Sequence, residues 1–181
     1  MPTKKLQPPV TGEDHIEGNQ QAQFTLLEYG DYQCPFCGLA YPVVKRLQRH
    51  FGRELRFSFR NFPLIQAHAH ALTAAAAAEA AGLQGKFWEM HDIIYEHQNR
   101  LMARDLADYA TTLNLDLKKF DQDMRSDSLL NKVRADFMSG EISGVDGTPT
   151  FFVNSVKYIG PVQFEDMRLF VESMRETRVS I

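Results

Sequence analysis

The chain has 181 residues, a formal net charge of -3 at pH 7, a hydrophobic fraction of 44% and a charged fraction of 24%. That length supports one well-buried core and leaves little room for two ordinary domains. Nothing in the balanced charge suggests a nucleic-acid footprint, and the longest apolar stretch, Ala74–Ala78, falls far short of the roughly 20 residues of a membrane span.

Residues 1–18 are rich in Pro, Gly and charge, have little periodicity, and read as an irregular lead-in without assigned function. The opening MPTKKLQPPVTGEDH carries basic residues but no apolar core of about 7 to 15 residues, so no secretory signal is read there. The expected location is therefore cytoplasmic, with a periplasmic or extracytoplasmic one as the alternative if the chain is a processed form.

The run from Phe24 to Tyr29 is short, apolar and bounded by Gly30 and Asp31, which predicts a strand buried on both faces. From Pro35 onward, Cys37, Ala40, Val44, Leu47 and Phe51 recur at three- and four-residue spacing. They predict a helix ending near Gly52. Leu55, Phe57 and Phe59 alternate with Arg56, Ser58 and Arg60, the pattern of a strand with one covered face. After Pro63 the periodicity turns helical: an alanine-rich segment to Ala81, then stripes around Phe87, Leu106, Phe120 and Val133. Thr150–Val153, a turn at Asn154-Ser155 and Val156–Tyr158 predict a hairpin, and a last amphipathic helix carries Phe164, Met167, Val171 and Met174.

The chain's two cysteines, Cys34 and Cys37, straddle the start of the first helix, so no disulfide framework holds the fold and the pair is free for chemistry. At a helix N-terminus, unpaired backbone N–H groups and the positive end of the dipole stabilise a thiolate, which favours Cys34 as nucleophile. Cys37 lies on the inward stripe and is expected to resolve a mixed disulfide formed at Cys34. Pro35 suits the first helical turn, where its missing N–H has no partner to lose. Glu28 is the single charge in the apolar strand; we expect it buried beneath the sulfurs as proton acceptor for Cys37, against the plainer reading of a solvated strand end. Phe36, beside Cys34, is the one aromatic expected to touch solvent and substrate, whereas Phe62, Trp88, Phe151 and Phe152 read mostly as core.

Together YGDYQCPFCG, Pro42 within the helix and the distant GTPTFF resemble the DsbA-like branch of the thioredoxin superfamily, over roughly Gly18 to Arg175. The resemblance implies an α/β, thioredoxin-like fold with an inserted helical subdomain: residues 19–63 and 144–181 as the core, residues 64–143 as the insertion. It implies a cis peptide at Pro149 beside the dithiol, with Thr148 offering backbone groups to a substrate chain. It also matches Glu28 to a buried acid below the site and implies that Pro42 kinks the helix. Strongly oxidising members carry His where this chain has Phe36, so a less acidic Cys34 and a less oxidising disulfide are expected here.

The expected activity is thiol-disulfide exchange through Cys34-Pro35-Phe36-Cys37, without cofactor or metal. The expected partners are protein disulfides or dithiols, with glutathione or a recycling oxidoreductase as further partners, and neither nucleic acid nor a membrane span. Two rivals remain: a glutathione-dependent transferase or isomerase on a related plan, and a non-catalytic zinc or protein-binding module. His68 and His70 form the one H-x-H pair that could join the cysteines, but their spacing is not that of a zinc finger. They read as residues near a helix start, and His91 and His97 as ordinary helical histidines.

Overall fold

The computed structural model describes residues 5–175. Strand β2, Phe24–Gly30, is the axis, and its apolar run is buried along almost its whole length. A helix, α1 (Pro35–Phe51), and a short 3-10 turn carry the chain back over the sheet, so β3 (Leu55–Asn61) pairs parallel to β2. Strand β4 (Thr150–Val153) pairs antiparallel on the other side of β2. Two short strands, β1 (His15–Gly18) and β5 (Val156–Lys157), complete the order β1-β3-β2-β4-β5. Between β3 and β4 run five helices: α2 (Ala71–Gly82), α3 (Phe87–Glu96), α4 (Ala103–Thr112), α5 (Leu117–Met124) and α6 (Asp127–Ser143). Helix α7, Phe164–Ser173, closes the described chain.

Strand alternation sorts side chains onto two faces. Leu26 and its neighbours Phe57, Phe59, Phe151 and Val153 join the larger core with Cys37, Ala40, Val44 and Leu47 of α1. Leu27, Tyr29 and Phe152 point the other way, into a smaller cluster with Leu6, Phe62 and Val145. Glu28 follows Leu26 by two residues and so faces the larger core, beneath the helix that carries Cys37. The stripe predicted for α1 is the set of residues it buries, Cys37, Ala40, Val44, Leu47 and Phe51. Helix α2 buries alanines on every side, because small side chains let its neighbours close in. At the β4–β5 hairpin both turn residues, Asn154 and Ser155, adopt positive φ (47 and 71). The Asn154 amide oxygen accepts from the Thr25 N–H at 2.9 Å and ties the turn down.

Two expectations are corrected. The lead-in is not irregular throughout: residues 15–18 form β1, and Leu6 is buried in the smaller core. Four half-polar residues are too few to show a period, and it is the pairing with β3 that makes them a strand. Strand β3 is likewise covered on both faces, with Ser58 and Arg60 buried. Asp14 from the lead-in answers the Arg60 charge, at 2.7 Å from Nε and 3.0 Å from Nη2, and the Tyr29 hydroxyl accepts from Nη1 at 3.0 Å. The pairing with Arg60 holds the Asp14 carboxyl below its usual range despite burial, which opposes it. Removing one partner leaves a buried charge unanswered, so Asp14→Ala is expected to cost about 3 to 5 kcal/mol, read as a lower urea midpoint at unchanged slope.

Candidate active site

The antiparallel pairing of Tyr29 with Thr150 decides where the site forms. Residues just after β2 then lie beside residues just before β4, which brings Cys34 next to Thr148 across 114 positions of sequence. The Thr148–Pro149 peptide is cis. The Cys34 thiol donates to the Thr148 carbonyl at 3.3 Å. Once Cys34 is ionised, the Thr148 hydroxyl, buried and otherwise without a partner, is the group able to donate back.

Cys34 caps α1, and Pro35 occupies its first turn. Both cysteines are free; Cys34 is 3% exposed and Cys37 fully buried. Their environments differ sharply. The Cys37 thiol donates to Cys34, and with help from the Thr148 side chain and the backbone N–H groups of Cys37 and Phe36 it pulls the Cys34 thiol down to about 5, against the opposing effect of burial. Cys37 is pushed well up, first by burial, then by its bond to Cys34 and the nearby Glu28 charge. At neutral pH the pair therefore carries one thiolate, on Cys34. Phe36 gives this thiolate only its backbone, since the ring is 67% exposed. The expectation that lack of a histidine leaves Cys34 less acidic than in oxidising relatives thus meets a thiol already ionised by its other donors.

Glu28 lies 2% exposed between register partners Phe59 and Phe151. Burial, and then the Cys34 charge, push its carboxyl up to about 8, partly offset by a hydrogen bond with Cys37. One of its oxygens has no partner, and neither has the buried Tyr95 hydroxyl. Space above it is tight: a Cβ on Gly30 would run into the Phe59 ring and come within 3.0 Å of Glu28 Oε1.

Three residues around the dithiol were not singled out from the sequence. The Asp31 N–H reaches Cys37 Sγ at 3.5 Å, while its carbonyl accepts from the Cys34 N–H at 3.1 Å. Gln98, beyond α3, donates from Nε2 to the carbonyls of Tyr32 and Cys34, both at 2.9 Å, and clamps the turn. Gly38 leaves room for that side chain, which a Cβ there would strike. Tyr32 is buried with its hydroxyl 3.0 Å from Nδ1 of His91, whose burial keeps it neutral. His91 is thus a satisfied core residue. Phe62, Phe151 and Phe152 are core as well. His68 bonds to Asp31, and among the described residues no three His, Cys, Asp or Glu side chains converge to hold a metal.

The thioredoxin family model matches residues 10–173. The chain belongs to the thioredoxin family. Its fold is that of DsbA-like thiol-disulfide oxidoreductases, with Cys34 and Cys37 as the CxxC pair. A thioredoxin-like oxidoreductase from Silicibacter pomeroyi superposes with a TM-score of 0.82 at 24% identity, covering 92% of this chain and 94% of that one. BdbD from Bacillus subtilis gives 0.81 at 21% identity, over 90% and 93% of the two chains. The thiol-disulfide exchange protein alpha-DsbA2 from Wolbachia pipientis gives 0.79 at 19% identity, over 89% and 87%. In sequence, the Na(+)/H(+) antiporter NhaA 1 of Mycolicibacterium vanbaalenii is 42% identical over 160 residues, which cover 87% of this chain and 26% of the antiporter. An NhaA antiporter of Herminiimonas arsenicoxydans is 38% identical over 171 residues, 94% of this chain and 27% of its own length. The chain thus spans about a quarter of the curated relatives it matches. Among the described residues, no helix is long and apolar enough to cross a membrane.

These relationships overturn the expected cytoplasmic location. That expectation is contradicted by the chain's likeness to DsbA-like thiol-disulfide exchange proteins and to NhaA antiporters. The expectation rested only on the composition of the opening residues, whereas disulfide exchange is at home in oxidising compartments.

Proposed function

We propose that this chain is a thiol-disulfide oxidoreductase acting on protein disulfides or dithiols, with glutathione or a second oxidoreductase able to recycle it. One observation carries the reading: two free thiols three residues apart, Cys34 capping α1 against the Thr148 carbonyl with its thiol pulled down, and Cys37 fully buried behind it with its thiol pushed up. In the reducing direction, the Cys34 thiolate attacks one sulfur of a substrate disulfide. An S–S bond forms to Cys34 as the substrate S–S bond breaks, and one substrate sulfur leaves as thiolate. Cys37 then loses its proton to the Glu28 carboxylate and attacks Cys34 Sγ, releasing the second substrate sulfur and closing the Cys34–Cys37 disulfide. Oxidation of a dithiol runs the same steps backward.

Glu28 is suited to the second step by timing. With a thiolate on Cys34 its carboxyl stands at about 8 and is mostly protonated at pH 7. Formation of the mixed disulfide removes that negative charge, so the carboxyl, though still raised by burial, becomes more acidic, gives its proton to the departing substrate thiolate or to solvent, and as carboxylate then takes the Cys37 proton. Thr148 and Pro149 line the approach to Cys34 and would present backbone to an extended substrate segment, with the exposed Phe36 ring offering apolar contact. Residues 19–63 and 144–175 would form the catalytic core, the rest of the expected range to 181 lying outside the described residues, and residues 64–143 an inserted helical subdomain, whose part in the site is Gln98 and the residues that follow β3.

A glutathione redox titration with alkylation and intact-mass counting of free thiols tests the proposal. Cys34 and Cys37 are expected to convert together between dithiol and disulfide. A pair that stays reduced at every ratio, or forms only a stable glutathione adduct, refutes it.

A further inference from the structure

The mechanism leaves one buried charge beside the dithiol without a task. The Asp31 side chain is wholly buried, and its carboxylate accepts from the Gln33 and Leu64 N–H groups and from His68 Nδ1, each at 2.8 Å. The His68 side chain, 19% exposed, is the layer between that carboxylate and water. The Asp31 backbone touches both cysteines, donating to Cys37 Sγ and accepting from the Cys34 N–H. A single residue thus carries the resolving thiol's backbone donor on one side and a carboxylate locked to the segment after β3 on the other.

We propose that Asp31 and His68 are a positioning pair for Cys37: the locked carboxylate holds the Asp31 N–H on the sulfur, and the His68 ring bonded to that carboxylate screens a buried negative charge that would oppose the Cys37 thiolate. This rests on the dithiol reading above. The other titratable groups facing Cys37 are Cys34, Glu28 and Tyr95, none of which supplies a positive charge. Among the described residues, the His68 ring is the one side chain besides the backbone donors that bonds to the buried Asp31 carboxylate.

The consequence is specific to the second chemical step. A like charge left unscreened on the residue whose backbone bonds the sulfur raises a thiol by about one to two pKa units, which removes about ten- to a hundredfold of its thiolate. The greater nucleophilicity of a more basic sulfur returns about half of that on a logarithmic scale. Resolution of the mixed disulfide in His68→Gln is therefore expected to slow about three- to tenfold. Attack by Cys34, whose donors are the Cys37 thiol, Thr148 and the helix backbone, is expected to stay within about twofold.

The test mixes reduced protein with oxidised glutathione, quenches rapidly in acid, and follows the Cys34 adduct by intact mass in four proteins: wild type, His68→Gln, Asp31→Asn and the double variant. In His68→Gln the adduct is expected to form normally and decay slowly. In the double variant, which lacks both the carboxylate and the ring but keeps an amide oxygen for the backbone donors, decay is expected to return to within about twofold of wild type. Wild-type decay in His68→Gln, or a double variant as slow as His68→Gln, overturns the proposal. Failure of the dithiol reading looks different, since wild type itself would then hold its adduct, and both readings fall. If His68→Gln does not fold, the native protein decides: the ring nitrogen shifts of His68 and the Asp31 amide are expected to move together between the reduced and oxidised forms. A ring spectrum indifferent to redox state overturns the pair's role.

Discussion

Cys37→Ser is expected to halt the cycle at the mixed disulfide. The variant keeps the Cys34 attack, because a serine hydroxyl can still donate to the thiolate that the Cys37 thiol now stabilises. What it loses is an intramolecular nucleophile one helical turn away, whose advantage over a thiol from solution lies in its fixed proximity. Turnover against a disulfide substrate is expected to fall at least about a hundredfold, with the adduct at Cys34 accumulating in stoichiometric amount on intact-mass analysis. Cys34→Ser, by contrast, is expected to form no adduct at all. If Cys37→Ser retains full activity, the chemistry uses a single activated residue and the glutathione transferase reading replaces the dithiol cycle.

The parts of this site that were legible in the sequence share a physical cause: they are set by local pattern. Five residues at helical spacing identify the buried face of α1 and with it the inward position of Cys37. The apolar run predicts a strand and leaves Glu28 as its single charge, and the structure adds that the face it takes is the one under α1. The hairpin follows from two turn residues between apolar runs. Asp31, His68 and Gln98 had no such signature, because their roles exist only across the fold. His68 meets Asp31 from 37 positions away and Gln98 meets the Cys34 carbonyl from 64. The same applies to the covered face of β3. Arg60 alternates like a solvated residue, and only the lead-in folding back with Asp14 makes its burial possible. Local period predicts elements, while the second layer of contacts around a site depends on which elements meet.

Glu28→Gln is expected to make the protein more stable and the enzyme slower. The carboxyl stands at about 8 in the folded protein against an ordinary value of 4.5. A group that holds its proton more tightly when folded loses stability as pH rises, so no penalty exists below pH 4.5, it grows through pH 7, and it is complete above about 8. At about 1.4 kcal/mol per pH unit the cost at pH 7 is on the order of 3 kcal/mol, and a neutral amide removes most of it, less what its own unpaired hydrogens cost in burial. The reduced variant is therefore expected to melt several degrees above wild type at pH 7 and to converge with it near pH 4. The gain in stability is matched by a loss in chemistry, because an amide cannot accept the Cys37 proton. Resolution of the mixed disulfide is expected to slow about tenfold and to lose the rise with pH that ionisation of Glu28 gives the wild type. Stopped-flow adduct decay across pH 5 to about 9, paired with thermal melts of the same samples, reads both effects. A variant that melts higher but resolves at the wild-type rate would leave Glu28 as a buried acid without a part in proton transfer. One that resolves slowly without melting higher would mean that its carboxyl never carries the burial cost that makes it a base at the right step.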